Sequence, residues 1–178
     1  MKIVKTKFSG LKIIVSPKFS DERGEFRELF KKKILKENAE FKFTCFSKSK
    51  KNVLRGLHLQ KPNAQGKYIT VIKGKILDVA VDLRRQSRTY KKSFKIILSS
   101  KNCKSVYIPK GFAHGFLSLE KENLVVYHLN SYRSLSNEIG IKWDDEVLNV
   151  KWGINKPILS KKDKNGNITF LDFEKKYN

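Results

Sequence analysis

His58 stands in the stretch 53–73, VLRGLHLQKPNAQGKYITVIK, close in sequence to Arg55, Gln60 and Lys67. An unperturbed imidazole titrates near about 6.5 and so exchanges protons at working pH. Removing a proton next to a carbonyl calls for such a base together with a cation that steadies the enolate oxygen. Lys67 follows Gly66, where the backbone can approach a ligand closely. A histidine alone in an apolar stretch would more simply be a hydrogen-bonded core residue, and one lysine among many a surface charge. Base and cation together are what such proton removal would require, and the stretch by itself leaves both readings open.

These side chains sit on two apolar, strand-like runs separated by a turn-rich segment, 61–66. Residues 53–59 alternate, which predicts Arg55, Leu57 and Leu59 on one face and Leu54, Gly56 and His58 on the other. Residues 67–72 read as a second, β-branched-rich strand. A hairpin-like connection would bring His58 and Lys67 to one cavity wall.

Around them, further strands are expected at 11–15, 25–30, 41–47, 75–83, 93–98, 105–108, 113–119 and 123–129, with turns at 21–24, 49–52, 84–89 and 109–111. Short strands at regular spacing with Gly, Pro and Asn turns indicate an all-β sandwich or barrel. Short helices are expected at 31–38 and, opened by Asp144-Asp145-Glu146, through residue 150. Residues 136–141 read as a polar crossover and 151–178 as a tail packed across the sandwich.

With 178 residues and 39% hydrophobic residues the chain can bury a real core, and one domain spanning 1–178 is expected. Net charge is +22. That admits an anionic partner, but the lysines are spread along the chain, and no basic helix or aromatic-basic motif of an RNA-binding module occurs. A lysine-rich surface without a dedicated partner accounts for most of the excess. No apolar run is long enough for a membrane span, and the first ten residues lack a signal-peptide block, which points to the cytoplasm. Cys45 and Cys103 form no CxxC and are expected to be reduced packing residues.

Several segments occur in a telling order: DERGEFRELF at 21–30, NVLRGLHLQ at 52–60, QGKYITVIKGKILDVAVDLRRQSRTY at 65–90, IPKGFAHGFLSL at 108–119, YHLNSY at 127–132 and PILSKKD at 157–163. Together they resemble the nucleotide-sugar 3,5-epimerases of the dTDP-4-dehydrorhamnose 3,5-epimerase family, across nearly the whole chain. Each motif alone is weak; their joint order and spacing are specific. The resemblance implies an all-β, cupin-type double-stranded β-helix (a jelly roll) with a few short peripheral helices. It further implies a cofactor-free homodimer with N-terminal strand exchange. Residues 1–50 would supply those strands, 51–132 the barrel core, and 133–178 the crossover and tail.

By the same resemblance His58 is the general base and Asp163 the carboxylate that fixes its tautomer. Lys67 is the cation near the C4 oxygen of the sugar, and Tyr127 the acid on the opposite face. Arg55, Arg23 and Glu28 match nucleotide- and phosphate-binding positions, and Phe26 and Tyr132 are placed to sandwich a base. Arg23, Phe26 and Glu28 would reach the site of the other subunit. Gln60 falls in the matched LHLQ segment, His114 lines the pocket, and Glu138 and Lys162 are outer binding positions. Each has a plainer reading: Tyr127 as barrel filling, Asp163 as a surface acid, Arg23 and Glu28 as an exposed pair. Two segments depart from the pattern. Phe43-Thr44-Cys45 stands where the family has a polar Gln-x-Asn, and Tyr132-Arg133 where it often has two tyrosines, with Leu135 at the following proline.

Many cupins bind a metal, but Leu59-Gln60 follows His58 where a second histidine would be wanted, and a lysine in the pocket opposes a cation. No metal is expected. The favoured function is inversion of C3, C5 or both in a nucleoside-diphosphate 4-keto-6-deoxyhexose, most simply dTDP-4-dehydro-6-deoxy-D-glucose. The alternatives are a single-carbon epimerase on another nucleotide-linked 4-keto sugar or heptose, a metal-dependent cupin oxygenase, and a non-catalytic basic binding protein.

Overall fold

The computed structural model describes residues 1–35 and 40–177. In chain order its strands are β1 (Lys2–Lys5), β2 (Lys12–Val15), β3 (Lys18–Asp21), β4 (Gly24–Arg27), β5 (Phe43–Lys50), β6 (Leu54–Gln60) and β7 (Lys67–Lys73). They continue with β8 (Lys75–Asp82), β9 (Ser93–Ser99), β10 (Lys104–Ile108), β11 (Phe112–Ser118), β12 (Glu122–Leu129) and β13 (Glu138–Gly140). Short helices α1 (Lys32–Leu35), α2 (Lys161–Asn165) and α3 (Phe170–Tyr177) lie at the periphery.

Two antiparallel sheets face each other, one ordered β1-β2-β10-β7-β12-β5 and the other β13-β6-β11-β8-β9. This is the cupin-type jelly roll expected from the sequence. Ile69, Val71, Ile76, Ala80, Leu98, Val106, Ile108, Phe112, Phe116 and Val125 pack between the sheets. The outer face of the five-stranded sheet is buried as well. Leu57, Val79, Val81, Ala113 and Leu117 lie under Trp152, Phe170 and Phe173 of the tail. Strands covered on both faces read as continuous apolar runs, and β11 is buried at every position. On the outer face of the six-stranded sheet, Tyr68, Tyr107 and Ile14 pack with Leu35 of α1 and with Phe30 and Phe41.

Several sequence expectations need correction. β6 and β7 do not form a hairpin; they belong to opposite sheets, so His58 and Lys67 lie on facing walls. β5 runs to Lys50, through the turn expected at 49–52, because its register with β12 carries on to Lys50↔Glu122. The strand expected at 25–30 ends at Arg27, and the supposed crossover at 136–141 holds β13, which pairs with β6. The helix expected at 31–38 is formed at 32–35; residues 36–38 lie outside the described residues. Residues 144–150 form turns, not a helix. Asp145 uses one carboxylate oxygen to accept the backbone N–H groups of Val147 and Leu148, and the other to accept that of Phe170. Its acid holds a loop to the start of α3.

Candidate active site

The site begins with a register fault in β6. His58 pairs with His114 on β11 and Arg55 with Phe116, so Gly56 and Leu57 together oppose Gly115 alone. This bulge shifts the alternation by one residue. Leu54, Leu57 and Leu59 all join the outer core, while Arg55, His58 and Gln60 line one cavity. The alternation expected from sequence placed Arg55 with Leu57 and Leu59; the bulge moves it to the face of His58.

That cavity, of about 610 Å³, lies between the sheets. The five-stranded sheet contributes Arg55, His58, Gln60, His114, Phe116 and Glu138. The six-stranded sheet contributes Lys67 from β7, Tyr127 and Leu129 from β12, and Phe43, Cys45 and Ser47 from β5. Strand register explains the grouping: Tyr127 is flanked by Cys45 and Ile69, and Leu129 by Phe43 and Lys67. His58 therefore faces Lys67 and Tyr127 across the cavity.

Asp163 arrives from α2. Ser160 caps that helix by accepting the Asp163 N–H, and its hydroxyl donates to the Asp163 Oδ2 at 2.9 Å. Asp163 Oδ1 is then 2.6 Å from His58 Nε2. An ionised carboxylate only accepts, so Nε2 carries the proton and the other ring nitrogen, Nδ1, keeps its lone pair. Burial works to raise the Asp163 pKa, but the His58 hydrogen bond and charge, with Ser160 and Asn167, outweigh it and hold the carboxyl below its ordinary range.

Enclosure lowers the Lys67 ammonium to about 8, with Glu138, Asp78 and Cys45 opposing. Burial pushes the Tyr127 phenol well above its usual range, against a 2.8 Å hydrogen bond with Ser47 Oγ. Tyr127 is thus held as a neutral phenol. His114 is lowered by burial, with Lys67 and His58 adding to the effect and Asp78 opposing it.

Toward the mouth, Arg55 donates to Ser49 Oγ and the Lys48 carbonyl. Glu138 binds Arg133 at 3.0 Å and Lys162 at 2.9 Å, and all three line the cavity. The pairings outweigh burial and keep the Glu138 carboxyl below its ordinary range. Phe43 stacks on Tyr132 at 6.1 Å and 15°, so the departure at 43–45 replaces amides with an aromatic face and the Cys45 thiol. Gln60 lines the cavity, but its amide is engaged in holding loops. Nε2 donates to the Asn63 and Tyr132 carbonyls and Oε1 accepts from Ser134 N–H.

Arg23 and Phe26 are on the β3–β4 hairpin, away from this cavity, with Arg23 paired to Asp21 and Glu28 to Lys31. Phe19 and Phe26 are 60% and 66% exposed there. Sequence reasoning passed over Ser47, Ser160, Arg133 and Asp78. Of these Asp78 left a faint signal, as an acid inside the apolar strand KILDVAVD, and Ser160 left one in the capping pattern Ser160-x-x-Asp163. Among the described residues no three His, Cys, Asp or Glu side chains converge as a metal site, and no helix is long and apolar enough to cross a membrane.

Residues 5–169 match the family described as dTDP-4-dehydrorhamnose 3,5-epimerase. A dTDP-4-dehydrorhamnose 3,5-epimerase of Shigella flexneri is 43% identical, covering 93% of this chain and 94% of the relative. The fold is similar, with a TM-score of 0.87, to a Legionella pneumophila dTDP-6-deoxy-D-glucose-3,5-epimerase solved with dTDP-4-keto-L-rhamnose. That pair is 39% identical over 92% of this chain and 89% of the other. A 3'-monoepimerase from Streptomyces bikiniensis, in complex with dTDP-quinovose, superposes at TM-score 0.86 with 26% identity, over 94% of this chain and 87% of that one.

Proposed function

The chain belongs to the dTDP-4-dehydrorhamnose 3,5-epimerase family and is a carbohydrate epimerase; from that premise we propose how its own residues carry the reaction. The substrate is dTDP-4-dehydro-6-deoxy-D-glucose, inverted at C3 and C5 to dTDP-4-dehydro-L-rhamnose. The 4-ketone acidifies the C–H bonds on either side. His58 Nδ1 takes one proton, and the imidazolium is stabilised by Asp163 at 2.6 Å. The negative charge that develops on O4 meets the Lys67 ammonium. Tyr127 returns a proton from the opposite wall, which inverts the carbon; His58 then releases its proton to solvent, and solvent restores the phenol. The same sequence at the second carbon completes the product. The placement of His58 and of Lys67 and Tyr127 on facing walls of one cavity carries this reading.

The nucleotide lies toward the mouth, its diphosphate against Arg55, Arg133 and Lys162 and its base beside Phe43 and Tyr132. Exposed aromatics on a hairpin remote from its own cavity fit a homodimer in which β3–β4 crosses to a partner. Arg23, Phe26 and Glu28 would then complete the nucleotide site of that partner. Unpaired Cys45 and Cys103 suit a reducing cytoplasm.

The likeness to a 3'-monoepimerase supports a second reading, inversion at one carbon only. Incubation in D2O with dTDP-, UDP- and GDP-linked 4-keto-6-deoxyglucose, read by mass, separates the two. Two deuterons per product with the dTDP sugar support double inversion, and one supports the second reading. No incorporation from any substrate would sink both.

A further inference from the structure

Asp78 lies in the middle of β8, fully buried, next to Ile76 and Ala80, which face the core between the sheets. A carboxylate in such surroundings is costly unless each oxygen is satisfied. Oδ2 is 2.8 Å from His114 Nε2. Oδ1 has no hydrogen-bond partner. A buried acid left half satisfied calls for an explanation beyond packing.

His114 is the direct β-partner of His58, so the two rings project side by side from adjacent strands. Each uses Nε2 on a buried carboxylate, Asp163 for His58 and Asp78 for His114. The remaining nitrogen of His114, Nδ1, is left for the cavity that the ring lines. With Nε2–H donating to Asp78, Nδ1 bears a lone pair and takes a hydrogen bond from a hydroxyl.

We propose that Asp78 is a positioning residue: it locks His114 in the Nε2–H tautomer, so that Nδ1 accepts a ring hydroxyl of the hexose and turns the acidic C–H toward His58. This rests on the epimerase reading above. His114 contacts the sugar, and Asp78 acts through it. Asp78 also supplies negative charge beneath the cavity, where it favours the ammonium form of Lys67. The other titratable or charged groups facing this region are His58 and Arg55 on β6, Cys45 on β5, Tyr127 on β12, Glu138 on β13, Lys162 and Asp163 on α2, and Arg133. Glu138 also favours the Lys67 cation, and enclosure opposes it.

The test compares full-length wild type with Asp78→Asn, His114→Asn and the double variant. Thermal unfolding, kcat, KM and the pH profile are measured with the dTDP-linked 4-keto sugar. Loss of an orienting partner costs about 10- to 100-fold. That loss is expected in kcat for D78N with KM changed far less, the alkaline limb of its profile displaced to lower pH, and the double variant no slower than H114N. Wild-type kcat and pH profile in D78N, with only a lowered Tm, would overturn the proposal. Multiplicative losses in the double variant would do so too. Nitrogen-15 NMR of histidine in the wild type gives a readout that needs neither a folded Asp78 variant nor turnover. An Nε2–H tautomer for the resonance absent from H114N supports the assignment, and an Nδ1–H tautomer refutes it. Absence of exchange in the wild type would instead count against the epimerase reading, and the tautomer would still decide the role of Asp78.

Discussion

Gly56 and Gly115 meet backbone to backbone across β6 and β11. A Cβ on Gly56 would stand 2.5 Å from the Gly115 Cα and 2.7 Å from the His114 carbonyl oxygen, and Gly56 has φ +123°. Neither the space nor the torsion suits a side chain. This contact seats the bulge that puts Arg55 and His58 on one face. Gly56→Ala is therefore expected to destabilise by at least about 2 kcal/mol and to remove activity. Denaturant unfolding together with initial rates checks it; a stable, active variant would mean that the bulge tolerates a methyl group.

In the proposed mechanism the Lys67 ammonium, lowered to about 8, sets an upper pH limit. The reaction needs the cation, so kcat/KM should hold near neutrality and fall tenfold per pH unit once pH passes about 8 in the free enzyme. An ordinary exposed lysine would place that limb near about 10.4. Initial rates at low substrate between pH 6 and 10 locate the limb.

The same shift has a consequence for stability. Below pH 8 Lys67 is charged in the folded and the unfolded chain, and the folded state bears the full cost of enclosing it. Between about 8 and 10.5 the folded lysine has lost its proton while the unfolded one keeps it. Unfolding then takes up a proton, and stability rises with pH across that window. Lys67→Met should thus be inactive yet more stable at pH 7, by on the order of 1–3 kcal/mol, with the gain fading toward pH 10.5. Melting curves of both proteins at pH 7 and pH 10 provide the comparison.

Ser160 serves α2 and Asp163 at once, as N-cap and as hydroxyl donor. Losing an N-cap costs about 0.5–2 kcal/mol. Because Asp163 also loses the bond to its Oδ2, Ser160→Ala should lower kcat by about tenfold or more while Ser160→Thr keeps most of it. Equal losses in both variants would indicate that the hydroxyl is not what matters.

Much of the barrel was legible because β-branched and apolar residues in strands such as KYITVIK and KILDVAVD read directly as buried sheet. Register was less legible. A bulge at Gly56 depends on the absence of a side chain on the facing strand, at Gly115, and no alternation pattern in one strand records that. Asp145 looked like a helix start because acids favour one, whereas its oxygens are used to pin a turn against Phe170 N–H. His58 and Lys67 were visible as chemistry, but which sheet each belongs to is settled by long-range pairing. Asp163 is 105 residues from His58, and only the resemblance joined them in advance. Asp78 is conspicuous as an acid in an apolar strand, but a lone acid there does not say what it faces.

The central claim is that His58 removes the proton and Tyr127 returns one from the other wall. Deuterium incorporation into the dTDP-linked 4-keto sugar, followed by mass with wild type, His58→Ala and Tyr127→Phe, tests it most directly. The account predicts that H58A folds with a wild-type melting profile and incorporates no deuterium. It also predicts that Y127F still exchanges protons at the base but yields little inverted product. Retained exchange in folded H58A would contradict it.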